Sequence, residues 1–147
     1  MAKMVIIYDS KFGNTKKVAE IVAEGFKEKS GTPAPVMFAK NVDPDALVNY
    51  DLILIGGPNH VGGPTGPIKK IIKKLAKMNL SGKKIGFFDT YMADQLEKAT
   101  KKMENMLSTR ASGYELVKPL SVKVLGQKGP IDEKELPRCK EYGSNLA

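Results

Sequence analysis

Few residues in this 147-residue chain could do chemistry by themselves. It has one histidine, His60, and one cysteine, Cys139, far apart in sequence. That spacing offers no Cys–His pair, and no G-x-S-x-G elbow occurs. A single cysteine excludes an intrachain disulfide and a Cys-rich metal site. What the chain offers is donors. The stretch SKFGNT, Ser10 to Thr15, follows the apolar run MVIIY and precedes a segment of helical spacing. Ser10 and Thr15 carry hydroxyls, Asn14 an amide, Gly13 lets the backbone turn, and Lys11 adds a cation. A helix N-terminus directly behind such a turn presents unpaired N–H groups and the positive end of its dipole. A phosphate could be held there by neutral donors alone. The competing reading is an ordinary helix cap by Asn14 or Thr15 with no ligand. The spacing is neither a Walker A loop nor a Rossmann G-x-G-x-x-G.

Two later stretches bear on the same question. Gly56 to Pro67, GGPNHVGGPTGP, holds five glycines and three prolines in twelve residues. That is long for a connection between a strand and a helix, and suits a loop that closes over a flat ring. His60, in its middle, reads either as a surface residue or as an aromatic plane stacked on a ligand. Asp89, Thr90 and Tyr91 form the third stretch. Tyr91 could supply a second plane and Thr90 a polar contact. Asp89 could offer another contact or cap a helix starting at Met92.

The elements that must position these loops alternate. Met4 to Tyr8, Pro35 to Ala39, Leu52 to Ile55 and Ile85 to Phe88 read as strands. Tyr114 to Val117 and Ser121 to Leu125 are extended, interrupted by Pro119, which suits an edge strand or a bulge. Helices are predicted over 15–29, with Val18, Ile21, Val22, Gly25 and Phe26 inward, and over 68–78. A further helix is predicted over 92–107, with Met92, Leu96, Ala99, Met103 and Met106 inward. Asp43-Pro44 reads as a helix start, and a closing helix runs from Asp132. Continuous apolar strands separated by amphipathic helices imply an α/β fold, a three-layer sandwich around a parallel sheet. Ligands of such sheets bind outside the carboxyl ends of the strands, where the three stretches converge. With no internal repeat and no long linker, one domain over 1–147 is expected.

The formal charge is +8 at pH 7. Its lysines sit at helical spacing between apolar residues, the pattern of solvated helix faces, so nucleic-acid binding is disfavoured. An acidic partner is compatible with that charge. No apolar run approaches a membrane span, no targeting segment is read, and a reducing cytoplasmic setting is expected.

With these residues in place, the chain resembles the flavodoxins over nearly its whole length. SKFGNT is similar to their phosphate loop: Ser10, Gly13 and Thr15 match, Asn14 is common at its position, and Phe12 replaces a usual hydroxyl. The resemblance implies a five-stranded parallel sheet of order 2-1-3-4-5 and noncovalent FMN. It also implies an electron-transfer role with a redox partner protein. The phosphate would be held by Ser10, Lys11, Phe12, Gly13, Asn14 and Thr15. Pro58, Asn59, His60, Val61 and Gly62 would line the ring, and Asp89, Thr90 and Tyr91 would close its other side. Val61 stands where the family usually carries a glycine whose peptide flips on flavin reduction, so either Gly62 takes that register or the flip is lost. FFDTYM and the later GQKGP (Gly126 to Pro130) look more like small prokaryotic flavodoxin-like proteins than acidic electron carriers. The resemblance also admits an oxidoreductase acting directly on a quinone or protoporphyrinogen-type substrate.

Overall fold

The computed structural model describes residues 3–60 and 62–147. Strand β1 (Met4–Tyr8) enters helix α1 (Asn14–Ser30), followed by β2 (Val36–Phe38). Then come β3 (Leu52–Pro58), α2 (Gly66–Leu75), β4 (Lys84–Tyr91) and α3 (Lys98–Ser108). Two short strands, β5 (Glu115–Leu116) and β6 (Leu120–Lys123), precede α4 (Leu136–Asn145).

All pairings between these strands are parallel, in the expected order β2-β1-β3-β4-β5, and β6 also pairs with β4. β5 lies against Lys84 and Ile85, and β6 against Phe88 to Tyr91. The fifth place in the sheet is therefore filled by two pieces. Pro119, which cannot donate to a ladder, falls between them.

Successive side chains of the central strands point to opposite faces, and both faces are covered. Ile6, Leu54 and Phe88 pack with Val18, Val22 and Phe26 of α1. Val5, Ile53, Ile55 and Phe87 pack with Ile68, Ile71, Ile72 and Leu75 of α2 and Met103 of α3. Each fully buried aliphatic or aromatic side chain here contributes roughly 1.5–3 kcal/mol. That is why these strands read as unbroken apolar runs.

Several boundaries differ from the sequence reading. Asp43-Pro44 opens a 3-10 helix, Pro44–Asn49, with Asp43 Oδ1 accepting from Asp45 N–H at 3.0 Å. The closing helix begins with a 3-10 turn, Glu133–Glu135, before α4. Ile21 is half-buried rather than core.

The larger differences lie at the sheet's carboxyl rim. β3 runs on to Pro58, so Gly56 to Pro58 are strand. β4 runs on to Tyr91, so Asp89, Thr90 and Tyr91 are strand rather than loop, because β6 pairs with all three and β3 with the first two. The helix expected from Met92 starts only at Lys98. Ala93 at φ 54° and Glu97 at φ 58° stand in the left-handed region and break the helical path between them. Met92 and Leu96, expected inward, are exposed. Met106 is half-buried, while Ala99 and Met103 are core as expected.

Candidate functional site

The end of β1 turns through Gly13, whose φ of 91° suits a residue without Cβ, and α1 begins at once. The first intrahelical bond runs from Lys17 N–H to the Gly13 carbonyl at 3.0 Å. The N–H groups of residues 14–16 thus have no acceptor within the helix. No side chain caps this end, and no acidic residue stands in its first turn. Neither expected cap forms: the Thr15 hydroxyl instead meets the Thr90 hydroxyl at 3.1 Å, both residues being buried. Gly13 N–H donates to Ser10 Oγ at 3.0 Å, which leaves the Ser10 hydroxyl proton free to donate. The head of α1 is therefore open to an anion.

Long-range bonds join the three segments to one another. Asp9 Oδ2 accepts from the Thr65 hydroxyl at 2.5 Å, and Asn59 N–H donates to the Thr90 carbonyl at 2.9 Å. Between the segments lies a cleft of about 200 Å³. Ser10, Lys11, Phe12, Asn14 and Thr15 line it from the first turn; Pro58, Asn59 and His60 from the second segment; Thr90 and Tyr91 from the third. Gly13 shapes the turn without lining the cleft. His60 is exposed and exchanges both backbone bonds with Gly63, at 2.7 and 3.1 Å, around Gly62 at φ 77°. Gly62 does not line the cleft, and Val61 lies outside the described residues.

Asp89, expected beside the ring, is instead fully buried and holds the rim together. Its Oδ1 accepts from the Ser121 hydroxyl at 2.5 Å and its Oδ2 from Thr100 N–H at 3.0 Å. Thr100 lies in the first turn of α3, so this strand carboxylate caps a helix eleven residues away. Glu97 N–H donates in turn to Ser121 Oγ at 3.0 Å. Burial pushes the Asp89 carboxyl up to about 6, against the pull of the bonds from Ser121 and Thr100. Burial also raises the Tyr91 phenol above its ordinary value, so it stays protonated at neutral pH.

Four lining residues escape the sequence reading: Met92, Gln95, Val124 and Gln127. Gln95 Oε1 accepts from Asn59 Nδ2 at 3.2 Å. Asn59 Oδ1 is buried and has no donor among the described residues. A buried acceptor left unpaired costs about 1–3 kcal/mol, and a ligand N–H in the cleft would satisfy it. The one local signal for this wall is the GQKGP turn, whose Gln127 reaches the cleft.

A parallel sheet covered on both faces, with an open helix head and a cleft at its carboxyl rim, defines a doubly wound α/β protein. The family profile described as Flavodoxin domain matches residues 5–139, and the chain belongs to that family. It is 36% identical over 62 residues to a flavodoxin of Aquifex aeolicus, covering 42% of this chain and 34% of that one. It is 32% identical over 88 residues to a flavodoxin of Clostridium saccharobutylicum, covering 60% and 55%. The matches thus span about a third to about half of those relatives' lengths. A flavodoxin structure from the domain Archaea superposes with a TM-score of 0.83 at 24% identity, covering 99% of this chain and 96% of that one. Among the described residues no helix is long and apolar enough to cross a membrane, and no cluster of ligating side chains could hold a metal.

Proposed function

We propose that this protein binds FMN noncovalently in the cleft and carries electrons between redox partners. The observation that carries the reading is the uncapped head of α1 at one end of the same cleft whose wall holds the unpaired Asn59 acceptor. A phosphate suits the first and a heteroaromatic ring with an N–H suits the second. Ser10, Asn14, Thr15 and the backbone beyond Gly13 hold the phosphate, with Lys11 and Phe12 beside it. Pro58, Asn59 and His60 flank one side of the ring, Thr90 and Tyr91 the other, and the turn at Gly62 shapes its edge. Asp89 acts by fixing Thr100 and Ser121 rather than by touching the ligand.

Bound FMN supplies the redox chemistry at its ring. The chain supplies donors that fix the phosphate, a wall that excludes water from one ring face, and an acceptor that selects a ring N–H. Membership of the flavodoxin family and the flavodoxins among its relatives support the carrier role over direct action on a quinone. α2 carries Lys69, Lys70, Lys73 and Lys74 and no acidic residue, which supports an acidic redox partner, and the single cysteine suits a meeting in the reducing cytoplasm.

An absorption spectrum of the purified protein before and after FMN addition tests this. Flavin bands that stay with the protein through gel filtration are expected, without steady-state turnover of quinone by NAD(P)H. A protein still colourless after FMN addition refutes the reading.

A further inference from the structure

The turn after β6 forms another wall at the anion end. Val124 and Ile131 face each other as an antiparallel bridge. Leu125 N–H donates to the Pro130 carbonyl, and Gly129 N–H to the Gly126 carbonyl, both at 2.9 Å. Gly129 stands at φ 97°, and a Cβ there would lie 2.5 Å from Asn14 Oδ1. Only glycine lets this turn lie so close to the first residue of α1. Gln127 consequently reaches the cleft, and Lys128 reaches Phe12.

Lys128 Nζ lies 5.9 Å from the Phe12 ring centre, and Lys11 Nζ lies 5.5 Å from the same centre. Two ammonium groups thus gather on one exposed ring at the mouth of the first turn. Neither has a carboxylate partner among the described residues. No Asp or Glu lines the cleft. The ring's negative face holds each cation only weakly, and an anion bound at the head of α1 would attract both.

We infer that Lys128 is a second cationic arm of the anion end, paired with Lys11 across Phe12, so that the cleft reads the double charge of a phosphate monoester. The identity of the ester as FMN rests on the proposal above. Neutral N–H and hydroxyl donors orient the phosphate; the two lysines add an attraction that salt screens. Phe12, which replaces a hydroxyl in the loop, serves as the platform that brings both cations to one place.

The test titrates flavin-free protein with FMN and with riboflavin, by quenching of flavin fluorescence, at low and high KCl. K128Q is the variant, on an exposed turn where folding is not at stake. It should weaken FMN roughly 3- to 5-fold at low salt, the upper end for one exposed charge pair. Riboflavin binding should change less than about twofold, because that ligand has no phosphate for the contact to reach. The salt dependence for FMN should shrink, and K128R should restore most of it. Equal FMN affinity in K128Q and the parent, or equal loss of riboflavin, overturns the inference while leaving FMN binding intact. If the parent binds neither flavin, the FMN reading fails. Inorganic phosphate then decides: a thermal midpoint raised by phosphate in the parent and less in K128Q supports the two-cation site, and equal shifts overturn it.

Discussion

At one end of the cleft, six consecutive residues, Ser10 to Thr15, make most of the proposed anion site with their own backbone and side chains. At the other end, the walls come from Pro58 to His60, Thr90 to Met92, and Gln95. Those walls are fixed by bonds to distant residues: Asp89 to Ser121 and Thr100, Asn59 to Thr90 and Gln95. A locally encoded end keeps its shape when distant contacts are lost. An end assembled by tertiary bonds weakens as they are lost, and it can be tuned by them.

Replacing Asp89 should break that contrast most severely. Asp89→Leu leaves Thr100 N–H and the Ser121 hydroxyl buried without their acceptor, at a cost of about 3 kcal/mol. A urea midpoint should fall accordingly, while the anion end keeps its affinity for inorganic phosphate. Asp89→Asn exposes the pH linkage. The folded carboxyl titrates at about 6 against an ordinary 3.8, so between those values the folded state binds the extra proton. Stability from this group is therefore highest below pH 4 and falls as pH rises towards 6, by about 3 kcal/mol at most. The parent-minus-D89N difference should show that fall; a difference flat with pH would contradict the assignment.

Gly129→Ala strikes the anion end through a non-local support, the close approach of the turn after β6. A left-handed φ and the close approach to Asn14 should make it cost about 1–3 kcal/mol in thermal unfolding. Thr15→Val joins the two ends in one measurement. It strands the buried Thr90 hydroxyl, at about 1–2 kcal/mol, whereas T15V/T90V together should recover part of that loss. Strict additivity of the two would show that their hydroxyls do not interact. Asn59→Ala should have the smallest effect on stability, within about 0.5 kcal/mol, since loss of its bond to Gln95 is offset by removal of a buried unpaired acceptor. Calorimetric FMN affinity should nonetheless fall by about 1 kcal/mol.

The same contrast explains how far the sequence could be read. β1 and the first turn are legible because their signals are adjacent: an apolar run, a glycine able to take φ 91°, then helical spacing. The sheet order follows from the alternation and the resemblance. The rim around Asp89 is not legible, because β4 reaches Tyr91 only by pairing with β6 some thirty residues later. Met92, Leu96, Ala99 and Met103 do recur at helical spacing, so the pattern promised a helix that Ala93 and Glu97 interrupt. Nothing adjacent to Asn59 announces that its amide will meet Gln95, or that one oxygen will remain unpaired.

A crystal structure of the protein grown with FMN tests the central claim most directly. The account predicts phosphate density against the N–H groups of residues 14–16 and the Ser10 hydroxyl, with a ring N–H on Asn59 Oδ1. Flavin density elsewhere on the molecule, or a phosphate turned away from the head of α1, would contradict it.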